Sequence, residues 1–522
     1  MSTTGISSLL SSLNPSTNES LAELLGESST SSATSSSTSA AIQDAVNAIL
    51  NSATNTSGSG IDVTSTVNAI LQIDAQPEVN LQSQVTAFGT QTSALQTIQT
   101  DLAALQTSVQ ALNDPDGAFS QVSVTSSNND VVSAVAANGT TAGSHTIIVS
   151  SLATTSAEYS APQTSSTSAL PTGTLDIQVG SNTAVPITMG TAGSTDNLSD
   201  LATYINNQSM GVTASVITDS TGAILSLVSQ TSGTAGALTI TDNTGTTGSD
   251  GMGFTQATQD VNGSPVPLGT DASLTVDGVP VTSGSNTVTG VIPGVTLTLS
   301  GTSSSPVTLA VQPDLTQVST AINNFVTAYN QVMTDINTQN TVSSASGSTA
   351  PPLLGDPSLD LLQSQLLNGV ITSITGNNGL VNLQSIGIQL QENGTLTVAS
   401  TTSPDSMDLN DALSNDFSAV QNLFQSAASS TAGVGVATAL NTSLTSLTDP
   451  TNGPLNLDMS GISSEVTDLN SQISDFQYQL QQTQAQLTAE YSTINTTLEQ
   501  LPQTLASINS QLNSLNPPNT TS

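Results

Sequence analysis

The 522-residue chain contains no lysine, no arginine and no cysteine. About a quarter of the residues in ordinary soluble domains are charged, so on the order of 60 basic residues would be usual at this length. The 37 acidic residues instead give a formal net charge of −37. Nucleic acids and anionic membrane surfaces are bound through cationic side chains, so we expect neither as a partner.

The absence of cysteine excludes disulfides and thiolate metal sites. The single histidine, His145, lies in the strand pattern GSHTIIV and forms no triad or metal cluster by itself, which favours a structural role. Glu490 and Glu499 lie along one helical pattern and indicate a solvated face rather than an acid–base pair. We therefore expect no enzyme activity, no metal and no cofactor.

Long apolar runs are also missing. None approaches the ~18 residues that span a bilayer. The first twenty residues lack the basic and apolar regions of a cleavable secretory signal. If the protein leaves the cell, we expect it to use a route without such a signal.

The two ends of the chain are polar. Residues 1–59 are rich in serine, threonine and asparagine, a composition that predicts a disordered segment. The pentapeptide VNAIL occurs there at Val46–Leu50 and again at Val67–Leu71, a weak indication of a helical repeat. Residues 516–522 are predicted to form a disordered tail.

Residues 60–117 are predicted to form the first helices of a stalk. Asp62 is predicted to cap the first helix, and Pro77 to mark a step into the second. The apolar positions then step by three and four residues, as in a coiled-coil seam, with one discontinuity. This early seam consists of Leu81, Val85, Phe88, Leu95, Leu102 and Leu105.

Residues 118–313 alternate apolar and polar side chains between turn residues, which predicts strands. Clear strand candidates are HTIIVSSL, TLDIQV, VTASVITD, AILSLVS, SLTVDGVPV and GVTLTLSG, and one short helix is predicted at TDNLSDLATYINNQ. The length favours two β-rich head domains. We place an inner domain at about residues 165–262, nested in outer strands at 118–164 and 263–313.

Residues 314–515 return to helical spacing, with a small β-hairpin near 383–398 that turns at Asn393 and Gly394. DALSNDFSAVQNLFQ is predicted as one helix. The last helix carries a second narrow apolar seam, in which Pro502 should kink or end the regular part. This seam includes Ile473, Phe476, Leu480, Leu487, Ile494 and Leu498.

The predicted fold class is therefore α+β and multidomain. A helical coiled-coil stalk is built from the N- and C-terminal helices, because two long seams can cover each other. The β-rich domains are inserted between them in sequence.

The stretch SGIDVTSTVNAILQIDAQP resembles the N-terminal signature of the flagellar hook-associated protein 2 family. Further segments resemble the family in the same order, among them GSHTIIVSSLA, INNFVTAYNQVMTDIN, LQSIGIQLQENGTLTV and DALSNDFSAVQNLF, and the resemblance runs from about Ser59 to Leu515. The signature residues are Gly60, Ile61, Asp62, Gln76 and Pro77. The chain departs from the family at Ala75, where a base is usual, and in its final helix, which has glutamine, threonine and alanine in place of bases.

The resemblance implies a homo-oligomer, five or six subunits in the family, that caps the filament tip, retains arriving flagellin and helps it to fold. It also implies contacts with the hook–filament junction proteins and a flagellar export chaperone, and export through the flagellar type III apparatus. A secreted surface adhesin or stalk fibre is the alternative, because a serine- and threonine-rich leader and β-domains would suit one.

Three explanations for the missing cations remain open: an acidic exterior, removal of the targets of trypsin-like proteases, and acidic or uncharged export and assembly partners. The first is favoured, because carboxylates with a pKa near 4 are mostly neutral below about pH 3. A chain without bases then carries almost no charge, whereas an ordinary chain becomes strongly positive.

Self-association is expected to strengthen as the pH is lowered from about 7.5 to 2.5, since the repulsion among carboxylates then disappears. Light scattering across this pH range measures the effect. Oligomers that are tighter at neutral pH would eliminate the acidic-exterior explanation.

Overall fold

A computed structural model describes residues 62–190, 195–244, 251–254, 269–342, 350–399, 407–427, 430–431 and 433–515. The predicted leader and tail lie outside these ranges. The chain divides into a helical unit, up to Gln110 and from Asn323 onward, and a β unit at Ala111–Ile322. The predicted α+β fold class is confirmed.

The described residues contain nine α-helices. In chain order they are α1 (Val63–Asp74), α2 (Gln76–Asn113), α3 (Leu198–Asn207), α4 (Leu315–Asn340), α5 (Pro357–Val370), α6 (Leu409–Asn415), α7 (Phe417–Gln425), α8 (Val436–Leu447) and α9 (Pro454–Leu515). All but α3 lie wholly or partly in the helical unit. This unit also contains the hairpin β15 (Ile388–Leu390) and β16 (Leu396–Val398), as predicted.

Aspartate side chains begin several of these helices. Asp62 Oδ1 accepts from Ser65 N at 3.1 Å and starts α1, which confirms the predicted cap. Asp356, Asp408 and Asp416 cap α5, α6 and α7 in the same way. The first turn of a helix leaves N–H groups unpaired and carries partial positive charge, so a carboxylate is stabilised there without any cation. The hydrogen bonds from Ser65 accordingly lower the pKa of Asp62.

Three expectations for the helical unit need correction. The stretch DALSNDFSAVQNLFQ, predicted as one helix, forms two helices, α6 and α7, because the backbone of Asp416 is extended in φ. The carboxylate of Asp416 caps α7 by accepting from Ala419 N, and it also accepts from Asn378 Nδ2 at 2.7 Å. Helix α8 was missed, since a turn-rich stretch precedes it and Gly435 at its N-cap gives no side-chain signal. Of the two outcomes predicted at Pro502, a kink or an end of the regular helix, the second is wrong, because α9 continues to Leu515.

The β unit contains fourteen strands within the described residues. They are β1 (Val122–Ser126), β2 (Val132–Ala136), β3 (Gly143–Ser151), β4 (Thr155–Tyr159), β5 (Gly173–Val179), β6 (Val185–Met189), β7 (Val212–Asp219), β8 (Gly222–Ser232), β9 (Leu238–Thr244), β10 (Ala272–Val276), β11 (Val279–Ser283), β12 (Thr287–Ile292), β13 (Val295–Leu299) and β14 (Val307–Pro313).

Two separate groups of sheets form in this unit, each around its own apolar core. The outer group has sheets in the order β1-β14-β3-β10-β11 and β12-β13-β2. The inner group has β4-β8-β7 and β6-β5-β9, with α3 packed on them. Strand β4 belongs to the inner group because it pairs with β8, with Ala157 opposite Val228. The inner group therefore begins about ten residues before the expected 165.

The single histidine supports a hairpin turn in the outer group. Asp277 and Gly278 join β10 to β11 with φ angles of 51° and 82°, the left-handed pair that a tight two-residue hairpin turn requires. His145 Nδ1 lies 2.8 Å from Asp277 Oδ2, and Thr146 N donates to Asp277 Oδ1 at 2.8 Å. These contacts are structural, and the hydrogen bond from His145 lowers the pKa of Asp277.

Glu158 on β4 gives the β unit a testable pH dependence. Burial raises the pKa of this carboxyl from 4.5 to about 7. A raised folded-state pKa means that the neutral form is favoured in the fold, so stability is lost as the pH rises from about 4.5 through 7. Glu158→Gln should raise the free energy of unfolding at pH 7.5 by on the order of 1–2 kcal/mol and change little at pH 4.5.

Calorimetric unfolding at both pH values measures this difference. Asp130→Asn, which removes an exposed acid from the same unit, is the control and should leave the pH profile unchanged. A Glu158→Gln protein that loses as much stability as the parent between pH 4.5 and 7.5 contradicts the assignment.

Candidate functional site

Helices α2 and α9 lie side by side and run antiparallel. Gln477 Nε2 donates to Glu78 Oε1 at 2.7 Å, and Gln99 Nε2 donates to Asn456 Oδ1 at 3.0 Å. From 78 to 99 is 21 residues along α2, and from 456 to 477 is 21 residues along α9. The two helices therefore keep one constant antiparallel alignment between these contacts.

Glu78 is an acid within the apolar face of α2. It is only 8% exposed and accepts hydrogen bonds from Gln477 and, at 3.0 Å, from Gln82 Nε2. Two neutral amides thus hold a buried carboxylate where a lysine or arginine would be usual. Sequence reasoning missed this link because only apolar residues were counted, although Glu78 precedes Leu81 and Val85 by three and seven residues, the spacing of one helix face.

Helix α1 continues this pairing, since it also packs against α9. Thr66, Val67 and Ala69 form its buried face. Ala75 separates α1 from α2, and the break has a local cause: Pro77 has no N–H to donate, and its ring disfavours a regular helix around the preceding turn. Gln76 is the half-buried first residue of α2, and the predicted step at Pro77 is confirmed.

The predicted seam residues differ in burial along the two helices. Leu95, Leu102 and Leu105 are fully buried. The half-buried ones are Leu81, Val85, Phe88, Ile473, Phe476, Leu480, Leu487 and Leu498. Ile494 is 41% exposed. Gly60 and Ile61 of the signature lie outside the described residues.

Beyond Leu498, the large aliphatic side chains of α9 are exposed to solvent. Leu501, Leu505, Ile508 and Leu512, hereafter the exposed stripe, are between 47% and 57% exposed. Their spacing of four, three and four residues places them on one face of the helix. A contiguous row of exposed large aliphatic side chains is typical of an interaction surface.

Two carboxyl groups share a hydrogen bond between α2 and α4. The bond to Asp335, together with burial, raises the pKa of Asp101 to about 6, while Gln331 Nε2 donates to both Asp335 oxygens at 3.3 Å. The shared proton is favoured in the folded state, so this pair contributes its full stability below about pH 4 and loses it as the pH rises through about 6.

The described ranges contain no cluster of three or more histidine, cysteine or acidic side chains that could hold a metal ion. None of the helices in those ranges combines the length and apolar character that a bilayer crossing needs. The functional candidate is the paired α1, α2 and α9, because α9 carries the exposed stripe, a row of aliphatic side chains typical of an interaction surface.

Two models of one known protein family match this chain. The model of the flagellar hook-associated protein 2 N-terminus matches residues 59–156, and that of its C-terminus matches residues 269–503. Together the two matches cover more than half of the chain. The chain belongs to the flagellar hook-associated protein 2 family. The inner sheets lie mainly between the two matched ranges.

Individual relatives extend this finding. The B-type flagellar hook-associated protein 2 of Pseudomonas aeruginosa is 29% identical over 381 residues, which are 70% of this chain and 78% of that protein. The flagellar hook-associated protein 2 of Escherichia coli K12 is 28% identical over 342 residues, 63% of this chain and 72% of that protein. The crystal structure of the flagellar cap protein FliD D1-D2-D3 domains from Escherichia coli aligns with a TM-score of 0.53 at 26% identity, covering 71% of this chain and 99% of that structure.

Glu78→Ala should lower the free energy of unfolding of the helical unit by about 1–3 kcal/mol, because Gln82 and Gln477 both lose their acceptor. Urea unfolding followed by circular dichroism measures the change. Glu465→Ala removes an exposed acid from α9 and should cost about 0.5 kcal/mol or less. Equal effects of the two substitutions would mean that the Glu78 link carries no stability.

Proposed function

We propose that this protein forms the cap of the bacterial flagellar filament, where it promotes flagellin folding and insertion and prevents loss of flagellin monomers. The observation that carries the proposal is the match of both ends of the chain to the hook-associated protein 2 models. Similarity to an Escherichia coli structure described as a flagellar cap protein adds to it. The adhesin alternative gains no support from these relatives, all of which are named as hook-associated proteins.

The proposed assembly is a homo-oligomer of five or six subunits. Its further partners are flagellin, the hook–filament junction proteins and a flagellar export chaperone. The site of action is the filament tip, reached through the flagellar type III apparatus without a cleaved signal. The family resemblance supports these finer statements.

The proposed stalk consists of α1, α2 and α9, with the early seam up to Leu95 and the late seam up to Leu487 along their paired length. The early seam from Leu95 onward is fully buried and anchors α2. From Leu480 to Leu498, by contrast, the late seam is at most half-buried. A cap must shift position at each flagellin insertion, and many shallow, similar contacts can be exchanged one at a time without breaking a deep anchor.

An acidic exterior remains the favoured explanation for the absent cations. Asp101, through its bond to Asp335, and the buried Glu158 favour the neutral carboxyl group in the folded state and make the fold relatively more stable in acid. The lowered pKa values of Asp62 and Asp277 act in the opposite direction, so support for an acidic exterior comes from the composition of the chain.

Replacing both Leu480 and Leu487 with aspartate should separate the stalk helices and abolish filament growth, because two charges enter the contact face of α9. Electron microscopy of cells and the amount of flagellin monomer in the medium measure the outcome. The control variant Gln481→Asp with Gln486→Asp adds the same charge at exposed positions and should leave filaments intact. Normal filaments in the Leu480→Asp, Leu487→Asp strain would sink the proposed role of the seam.

A further inference from the structure

Strand β7 forms one edge of its sheet in the inner group. The strand order there is β4-β8-β7, and among the described strands β7 pairs with β8 alone. It is eight residues long, keeps one register with β8 throughout and contains neither a proline nor a bulge. A long and regular edge strand offers its outward N–H and C=O groups to any other extended chain that approaches it.

The register of β7 shows which of its backbone groups face outward. Asp219 lies opposite Gly222 across a two-residue hairpin turn, so these two residues exchange both of their backbone hydrogen bonds. Because the pairs of an antiparallel ladder alternate, every second residue from Asp219 bonds to β8 and the residues between them face the open edge. The outward-facing residues are Val212, Ala214, Val216 and Thr218.

The side chain of Asn206 occupies this edge at Ala214. Asn206 Nδ2 donates to Ala214 O at 2.8 Å, and Ala214 N donates to Asn206 Oδ1 at 2.8 Å. A residue of a neighbouring strand would form the same two bonds with Ala214. Asn206 lies in the last turn of α3, which packs against β7, and it is exposed to solvent. Its amide therefore takes the place of a further strand at the surface of the sheet.

The same arrangement occurs at a second sheet edge, in the helical unit. Asn330 Nδ2 of α4 donates to Leu396 O of β16 at 2.7 Å, and Leu396 N donates to Asn330 Oδ1 at 2.6 Å. Two other edge strands, β6 and β11, contain Pro186 and Pro280, and proline has no N–H to offer to an added strand. Lysine, a common protection of sheet edges, is absent from this chain. Asparagine amides and prolines protect these four edges without any cation.

We propose that the outer edge of β7 is a latent interaction surface for a second copy of this chain and that Asn206 blocks it. While the amide of Asn206 bonds to Ala214, an approaching strand cannot form its bonds at the middle of this edge. Once the amide is removed, β7 of a second copy can pair along the whole strand. This inference concerns the β unit alone, goes beyond the cap function and stands without it.

The sequence of β7 suits pairing with an identical strand. Two such strands can run antiparallel about a two-fold axis with Val216 opposite its counterpart in the second copy, which makes the contact self-complementary. The single acid of β7, Asp219, then lies opposite Thr213, so no two carboxylates of the paired strands meet. Ile217, which is 50% exposed, lies opposite Ser215 and contributes apolar surface to the contact. The net negative charge of the chain is thus not concentrated at this edge.

Cross-linking through an introduced cysteine tests the proposal. The chain has no cysteine, so Ile217→Cys supplies the only thiol. In the paired strands the two copies of this residue lie roughly 8 Å apart, within reach of a short thiol-specific cross-linker. Adding Asn206→Ala should raise the yield of cross-linked dimers at least ~5-fold, because the edge is then open. Asn207→Ala, which changes the next exposed asparagine of α3, is the matched control and should leave the yield unchanged.

A proline at the open edge separates strand pairing from any other association. Thr218→Pro removes an outward-facing N–H and leaves the bonds to β8 in place, as Pro186 and Pro280 illustrate at other edges. Added to the Asn206→Ala protein, it should return the cross-linking yield to that of Ile217→Cys alone. Equal yields with Asn206→Ala and Asn207→Ala, or a yield that Thr218→Pro does not lower, would overturn the proposal.

Hydrogen exchange of the full chain without the introduced cysteine gives an independent measurement. In the Asn206→Ala protein, peptides covering residues 213–219 should become more protected as the protein concentration rises, because paired strands bond the outward amides. The parent and the Asn207→Ala protein should show no such dependence on concentration in these peptides. Exchange in the Asn206→Ala protein that is independent of concentration would contradict pairing between copies.

Discussion

Apart from Asp277 beside His145, the carboxylates in this chain must find their partners among neutral groups, because no lysine or arginine exists to pair with them. Helix starts supply one kind of partner, the unpaired backbone N–H groups that meet Asp62, Asp356, Asp408 and Asp416. Side-chain amides supply the other kind of partner: Gln82 and Gln477 both donate to Glu78, at the contact between α2 and α9. Where no donor is placed, as at Glu158, the fold holds a carboxyl that prefers to be neutral.

The long helices show how a polar surface is made without ion pairs. Exposed faces of soluble helices usually gain from glutamate–lysine pairs four residues apart. Here hydroxyls turn back onto the carbonyl four residues earlier, as Thr467, Thr488 and Thr497 do on α9. Such bonds satisfy the side chain within its own helix, although they slightly destabilise that helix. Contact with neighbouring helices must therefore supply more of the stability of α9.

Residue types and their spacing were sufficient to predict the elements that depend only on residues close together in the sequence. The cap at Asp62, the step at Pro77, the strand pattern and the hairpin turn at Gly394 all follow from residue types at fixed spacing. The errors have a different origin. Asp416, where the predicted helix splits, caps Ala419 N locally and is also held by Asn378 from a distant part of the chain, and the assignment of β4 depends on pairing with β8. The carboxyl pair of α2 and α4 was likewise invisible, since only the folded chain brings those acids together.

Added salt should change the stability and the self-association of this protein in one direction only. Among the described residues, His145 and Asp277 form the one contact that could be an ion pair, and it requires a protonated imidazole. Dissolved salt weakens attractions and repulsions between exposed charges alike, and in ordinary proteins the two losses partly cancel. A surface of acids alone has almost no attraction to lose. Added salt therefore mainly screens the repulsion between the acidic side chains. A saline medium then favours both the folded chain and its association with further copies.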